Sequence, residues 1–163
     1  MDASAITGSL FIAARPRQRD VRAVQALGVS LVLNMIWSRP AAGLNQPPLR
    51  LLTLRTFDSP LLRMPLTKLR TGVEAALPVL EQGGHVLVYC RRGRHRSVAM
   101  TACILVGLGH SADEAMDLIA ARRAAADPYA PHIESRIRAF ESQWRTCWAE
   151  QRLLSSGPAS IMK

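Results

Sequence analysis

The sequence predicts an α/β fold: a single domain whose central, mostly parallel sheet of about five strands is flanked by helices. Short, apolar, β-branched runs such as Val29–Asn34 and His85–Tyr89 are typical of strands buried on both faces. Amphipathic segments with helical spacing separate these runs, and the last third of the chain has helical patterns alone. The 163 residues, 48% of them hydrophobic, suffice for one core without disulfide or metal support.

The N-terminal part of the chain is predicted to form a hairpin followed by a helix. Two short apolar pieces within Ile6–Ile12 flank Gly8 and Ser9, which indicates a small hairpin or an edge pair at the start of the sheet. Asp20–Leu27 carries valine and leucine at helical spacing, and Gly28 follows as a helix stop. We therefore expect one helix before the next strand.

Two strands and two irregular segments are predicted next. Val29–Asn34 is almost entirely apolar and is expected to be a central strand. Ser38–Pro48 is rich in proline, which indicates a loop, and Leu49–Leu54 can form a further strand. A second irregular segment, Thr56–Pro65, leads to the following helix.

The middle of the chain is predicted to contain a helix and the second strong strand. Apolar residues repeat every three or four positions from Leu66 to Leu80, and a pair of glycines then ends this helix. Pro78 lies inside it, removes an intrahelical hydrogen bond and crowds the preceding turn, so we expect a kink or a shorter helix. His85–Tyr89 follows as a buried strand.

The remainder of the chain is predicted to be helical. Ser97–Leu108 is apolar nearly all round, as in a buried helix. Ser111 and Glu114 form a capping box that starts the next helix, which runs to about Ala124. The last long helix is expected to cover Pro131–Leu154.

The cysteines and the hydropathy pattern exclude several classes of protein. Cys90, Cys103 and Cys147 are widely spaced and match neither a disulfide framework nor a zinc site, so we expect no metal and no cofactor. No apolar run approaches the roughly 18 residues of a membrane span, and the N-terminus has no signal-peptide pattern. These features predict a soluble, cytoplasmic protein.

The chain is strongly basic, with a net charge of +9, which favours polyanionic partners such as nucleic acid, acidic lipid or highly phosphorylated substrates. Among the 21 basic residues, however, only Lys68 and Lys163 are lysine, and alanine is abundant. This composition is also what the codon usage of a GC-rich genome produces. We therefore favour the interpretation that the basic residues form a solvated surface without a specific function.

The residues from Cys90 to Ser97 form the stretch that carries chemistry. They lie between a predicted buried strand and a buried helix, where an α/β sheet usually places its site. Backbone N–H groups of such a loop can converge on one anion, while Gly93 permits a close approach and Arg96 offers a fork for two phosphate oxygens. The same positive field should lower the pKa of the Cys90 thiol. The alternative is a buried structural cysteine beside a basic loop.

The segment Val86–Ser97 resembles the signature loop of cysteine-dependent protein phosphatases, in which Cys, two residues, Gly, two residues, Arg and then Ser or Thr recur. The resemblance extends over roughly Ile6–Trp144 and is to the small, atypical dual-specificity phosphatases. Phe57–Pro60 resembles their general-acid loop. The resemblance implies a protein tyrosine phosphatase-like fold, with residues 1–154 as the catalytic domain and 155–163 as a flexible tail.

The resemblance also implies a role for each matching residue. Cys90 would be the nucleophile, Arg96 the phosphate clamp, Ser97 the hydroxyl that assists the leaving thiolate, and Asp58 the general acid. An Asp before Ser-Pro is, by residue type alone, equally a helix or turn cap. The implied reaction passes through a phosphocysteine that water hydrolyses, with Asp58 as base in that second step and without a metal.

Three features depart from the family pattern. Tyr89 precedes the cysteine, where the family usually has His. Near Ala130 the family often has an Asn that braces the loop, and none is present; His132 could replace it, although a surface or capping His is the reading we favour. Pro78 is the third departure.

The substrate is left open by the sequence. With no segment left over to deepen the pocket, the resemblance implies a shallow site that accepts phosphoserine and phosphothreonine as well as phosphotyrosine. The loop residues between Cys90 and Arg96 are expected to bind substrate, and they are Arg91, Arg92, Gly93, Arg94 and His95. Because four of them are basic, inositol polyphosphates, phosphoinositides and RNA ends are alternatives to a phosphoprotein.

Two other functions remain as alternatives. A pseudophosphatase would bind phosphate without hydrolysing it, and a rhodanese or an arsenate reductase would use a similar cysteine loop. The presence of Cys90, Arg96 and Asp58 together argues against both. Aromatic residues are few and no nucleic-acid-binding module is recognisable, so nucleic acid is not an expected partner. The sequence gives no indication of the oligomeric state.

Overall fold

The computed structural model describes residues 1–155, with side chains up to residue 147, and is organised around one five-stranded sheet. The strands are β1 (Ala3–Ala5), β2 (Leu10–Ala14), β3 (Val29–Asn34), β4 (Arg50–Thr53) and β5 (His85–Cys90). The helices are α1 (Val21–Ala26), α2 (Leu66–Glu81), α3 (Arg96–Gly107), α4 (Ala112–Arg122) and α5 (Pro131–Ser155). The predicted tail over 155–163 lies, beyond Ser155, outside the described residues.

The strand order is β1-β2-β5-β3-β4, and every pairing is parallel except that between β1 and β2. This confirms the predicted α/β class and the mostly parallel sheet of five strands. The interior strands are buried because both faces are covered, which explains their continuous apolar sequences. Cys90 pairs with Ala14 and Tyr89 with Asn34, so the cysteine lies at the carboxyl edge of three parallel strands.

The N-terminal hairpin is present, but its position along the chain differs from the prediction. The first strand ends at Ala5, and Ile6 belongs to the turn, where it is nonetheless buried. Ile6 N–H and Thr7 N–H both donate to Leu10 O, and the Thr7 hydroxyl accepts from the Leu10 N–H. Ile6 therefore packs into the core although it lies in a turn. Its apolar character is the reason that the sequence pattern placed it in a strand.

Pro78 does not shorten α2, which continues through it to Glu81. The expectation of a shorter helix was wrong, since the proline stands in the last turn and few residues of the helix follow it, while the alternative of a kink stays a prediction. The residues that bury the helix against the core, Leu69, Val73 and Ala76, precede it. Gly72 also lies on this face, in close contact with Met100 of α3.

The remaining helices match their predictions closely. Both hydrogen bonds of the capping box between Ser111 and Glu114 are present at the start of α4. The residues of α3 from Ser97 to Val106 are all buried, because this helix packs against β5, α2, α4 and α5. Among the residues described, no helix has the length and apolar character that crossing a membrane requires.

Candidate active site

The loop that joins β5 to α3 is shaped by a close approach to strand β2. Gly93 has a φ of +64°, and a Cβ at this position would stand 2.9 Å from the backbone of Ala13. A side chain is therefore excluded by both the backbone conformation and the space. The loop curls over the carboxyl edge of the sheet, as the sequence predicted for this glycine.

Cys90 lies at the centre of this loop and is only 2% exposed. Its Sγ is 3.1 Å from the Ser97 hydroxyl oxygen. Burial alone would raise the pKa of this thiol, but the Ser97 hydroxyl and the backbone N–H groups of Ser97, Arg94 and Arg92 outweigh it, so the pKa lies below its ordinary value. The sulfur is held among donors that favour the thiolate.

Arg96, the first residue of α3, projects into the same cleft and is largely buried. One terminal nitrogen, Nη1, donates to the Thr56 carbonyl oxygen at 3.3 Å. Its Nε is buried without a hydrogen-bond partner, and the nearest carboxylate oxygen, Asp58 Oδ2, is 3.8 Å away. A buried, unpartnered guanidinium N–H needs an acceptor, and a phosphate oxygen in the cleft would supply one.

Asp58 lies on the loop between β4 and α2 and lines the cleft. Its carboxylate accepts from His95 Nδ1 at 3.1 Å and from His132 Nε2 at 3.1 Å. Burial would raise the pKa of Asp58, but the His132 hydrogen bond and the charges of His95 and Arg96 lower it on balance. The structure thus brings Asp58 beside the loop, where the resemblance had placed a general acid.

The predicted site residues share one cleft of about 430 Å³. It is lined by Asp58, Cys90, Arg91, Arg92, Arg94, His95 and Arg96. Ser97 and Gly93 are buried beneath it. Arg94 lines the cleft, and its exposed guanidinium pairs with Asp127 at 3.1 Å. His95 lines the cleft and also contacts Asp58, and its predicted contact with substrate stays a prediction.

Sequence reasoning missed Arg123, which shapes this site, and did not foresee the contact that His132 makes. Arg123, 3% exposed, donates from Nε to Gly93 O at 2.8 Å and from Nη2 to Arg92 O at 3.3 Å, and so ties the loop to the end of α4. His132, interpreted from the sequence as a surface or capping His or as a possible brace for the loop, is 21% exposed and contacts Asp58. No local pattern marks either residue, since each acts on a segment far away in the sequence.

Tyr89, which stands where the family usually has His, is fully buried. Its hydroxyl has no hydrogen-bond partner among the described residues, and burial raises its pKa to about 12. A neutral phenol in this position supplies packing volume rather than charge. Tyr89 therefore takes no part in the hydrogen bonds around the Cys90 thiolate.

The chain is similar in sequence and in structure to dual specificity phosphatases. Over 102 residues the chain is 35% identical to mouse dual specificity phosphatase 28, an alignment that covers 62% of this chain and 61% of the mouse protein. It is 29% identical over 157 residues to the human protein of the same name, covering 94% and 87% of the two chains. The crystal structure of human dual specificity phosphatase 28 superposes with a TM-score of 0.76 at 25% identity, over 88% of this chain and 98% of that one. No family model matches the chain.

The sheet order, the loop after β5 and the buried helix that follows define a protein tyrosine phosphatase-like fold. The proteins to which the chain is similar indicate a smaller group within this fold. The chain is similar to the atypical dual-specificity phosphatases. The aligned part of the chain spans about three fifths of the length of the mouse relative.

Proposed function

We propose that the chain hydrolyses phosphate monoesters through a phosphocysteine intermediate on Cys90. The observation that carries this proposal is the arrangement of the Cys90 sulfur among N–H donors that lower its pKa, with the unpartnered Arg96 Nε and the Asp58 carboxylate on the same cleft. These are a nucleophile, a charge stabiliser and a proton donor converging on one space.

In the first step, the Cys90 thiolate attacks phosphorus while the bond to the leaving oxygen breaks. Backbone N–H groups of the loop and Arg96 stabilise the equatorial oxygens, and Asp58 donates a proton to the departing oxygen. In the free protein the pKa of Asp58 is lowered. A bound phosphate dianion would engage Arg96 and repel the Asp58 carboxylate, which favours the protonated acid that this step requires.

In the second step, Asp58, now ionised, removes a proton from a water molecule that attacks the phosphocysteine. The phosphorus–sulfur bond breaks, inorganic phosphate leaves and the thiolate is restored. The Ser97 hydroxyl, 3.1 Å from the sulfur, stabilises the departing thiolate. Every role is filled by a group of the chain, so the proposed reaction uses no metal ion.

The test is hydrolysis of para-nitrophenyl phosphate in the presence of a chelator. Cys90→Ser should abolish turnover yet retain binding of a phosphate analogue, and Asp58→Ala should slow substrates with poor leaving groups more than those with good ones. Cys147→Ser is the matched control, because this cysteine is remote from the cleft and should be dispensable. Turnover that persists in Cys90→Ser would refute the proposal.

Retained phosphate binding without turnover in the wild-type chain would instead indicate a pseudophosphatase. Equal slowing of all leaving groups in Asp58→Ala would remove Asp58 from the mechanism while leaving Cys90 in place. The two variants therefore test the two assignments separately.

As substrate we propose phosphorylated protein side chains, including phosphotyrosine and phosphoserine or phosphothreonine. A groove of about 410 Å³ adjoins the cleft and shares Asp58 and Arg96 with it. Its outer wall is formed by Trp37 and Phe57, which are both about half exposed and have ring centroids 5.3 Å apart. Exposed aromatic rings beside a phosphate site suit the side chains that flank a phosphorylated residue.

A polyphosphorylated small molecule is the second candidate, and a different surface favours it. A depression of about 610 Å³ next to the cleft is lined by Arg15, Arg17 and Arg39, and it shares Arg91 with the catalytic cleft. Trp37→Ala should raise KM for phosphopeptides, whereas Arg39→Ala should raise KM for inositol polyphosphates. A higher KM for phosphopeptides in Trp37→Ala would identify the aromatic groove as the substrate surface. A higher KM for inositol polyphosphates in Arg39→Ala would identify the arginine-lined depression.

A further inference from the structure

Three potential metal ligands from distant parts of the chain meet at the mouth of the cleft. Asp58 comes from the loop after β4, His95 from the residue that precedes α3, and His132 from the first turn of α5. One ligand atom of each lies within 4.8 Å of the other two. Two imidazoles and one carboxylate are a donor set typical of zinc sites that keep an open position.

The distances suit a tetrahedral ion after small movements. Asp58 Oδ1 is 3.1 Å from both His95 Nδ1 and His132 Nε2. Ligands about 2.0 to 2.1 Å from a tetrahedral zinc ion stand roughly 3.4 Å apart, so the two imidazoles need only open slightly around the carboxylate. The backbone around them is held in place, because the His95 carbonyl accepts the first hydrogen bond of α3, from Ala99 N–H.

A further carboxylate, that of Asp127, lies on the far side of the His95 ring. Its Nε2 is buried without a hydrogen-bond partner and points towards the carboxylate of Asp127, with Oδ2 3.7 Å away. A histidine that ligates a metal through one nitrogen commonly donates its other N–H to a carboxylate, which orients the ring and increases its basicity. The unsatisfied Nε2 would be satisfied by a small approach of Asp127.

The cluster places negative charge within a cleft whose other lining residues, Arg91, Arg92 and Arg94, are basic. Asp58 and Asp127 supply two carboxylates, whereas the nearest guanidinium to Asp58 is Arg96, with Nε 3.8 Å from Oδ2. Arg94 is already paired with Asp127. An ion on the His95 and His132 side of Asp58 is separated from Arg96 by the carboxylate itself.

We propose that Asp58, His95 and His132 bind a zinc ion, and that this ion inhibits the phosphatase by holding its general acid. The inhibitory part rests on the proposed function, whereas binding of the ion does not. On binding, His95 Nδ1 and His132 Nε2 supply lone pairs, and the protons they share with Asp58 pass to the other ring nitrogens or to solvent. Asp58 then coordinates the metal and can no longer donate a proton to a leaving group.

Cys90 is the competing ligand, because a thiolate also binds zinc strongly. The binding measurement is therefore made on the full chain with Cys90→Ser, by titration of zinc against a chromophoric chelator. We expect one zinc ion per chain in this background. Adding His132→Gln should weaken binding by at least about tenfold, because it replaces a ligand with a poor one.

His110→Gln is the matched control, since it removes a histidine that is not part of the cluster and should leave zinc affinity unchanged. Asp127→Asn provides a second test that spares all three ligands, and it should weaken binding by about 10- to 100-fold through the second shell. Circular dichroism of each variant without zinc verifies that it is folded. Zinc binding that is lost in Cys90→Ser, or that His132→Gln and His110→Gln affect equally, would overturn the site.

The inhibitory part is tested on the chain with Cys90 intact. The ratio of turnover with and without zinc should fall in the wild type and recover on adding chelator. At the same zinc concentration it should fall less in His132→Gln, and an equal fall in both would assign the inhibition to zinc on Cys90 and overturn the inhibitory role of the cluster. Binding without inhibition would overturn the inhibitory role and leave the site standing. If the wild type has no turnover at all, the proposed function fails while the binding titration still decides the metal site.

Discussion

Arg123 connects the end of α4 to two separate segments through its buried guanidinium. Its Nε and Nη2 donate to the carbonyl oxygens of Gly93 and Arg92 in the phosphate loop. Its Nη1 and Nη2 also donate to the two carboxylate oxygens of Asp2, each at 3.0 Å, and Nη1 donates to the Ser4 hydroxyl at 3.1 Å. Replacing Arg123 with alanine therefore tests whether this contact sets the shape of the loop.

The expected loss of stability follows from the hydrogen-bond acceptors that Arg123→Ala leaves without a donor. Two loop carbonyls lose a charged donor, and hydrogen bonds to charged groups contribute about 1.5 to 3 kcal/mol each, so Arg123→Ala should lower the free energy of unfolding by about 3 to 6 kcal/mol. The Asp2 carboxylate adds little, because its side chain is 62% exposed and water can solvate it. Asp2→Asn should accordingly lower the free energy of unfolding by less than about 1 kcal/mol.

Urea unfolding followed by circular dichroism measures these losses, and turnover under native conditions reports the loop. Arg123→Ala should lose activity even at temperatures where it is fully folded, because the loop amides are no longer held towards one point. Arg123→Lys keeps the charge but not the planar fork, so its stability and its activity should both lie between those of Arg123→Ala and the wild type. If Arg123→Ala and Asp2→Asn behave alike in both assays, Arg123 does not brace the loop.

Three further substitutions test the immediate surroundings of the nucleophile. Ser97→Ala should shift alkylation of Cys90 by iodoacetate to higher pH, since it removes a donor that lowers the thiol pKa; an unchanged midpoint would contradict this. Gly93→Ala should destabilise the fold by more than about 1 kcal/mol in thermal unfolding, because φ is positive and the backbone of Ala13 is too close, and a neutral effect would show that the loop can relax. Tyr89→Phe should leave the free energy of unfolding unchanged or raise it by up to about 1 kcal/mol, because the buried hydroxyl has no partner; a clear loss would reveal a partner for it.

Much of the fold could be predicted from local sequence. The buried strands β3 and β5, the capping box of α4 and the all-apolar α3 are each specified within about a dozen neighbouring residues, where periodicity and capping chemistry act directly. Where prediction was wrong, a different reason applied to each residue. Ile6 looked like part of a strand because it is apolar, yet it reaches the core from a turn, and Pro78 looked like a helix breaker although it stands near the helix end.

The sequence by itself determined the phosphate loop, because its eight residues from Cys90 to Ser97 are contiguous and their backbone conformation follows from the strand before them and the helix after them. Only the tertiary structure decided what surrounds that loop. Asp58 meets His95 across 37 residues and His132 across 74, and Arg123 reaches Asp2 across 121. Such contacts depend on how helices pack on the sheet, and no periodicity along the chain records which distant side chains that packing will bring together.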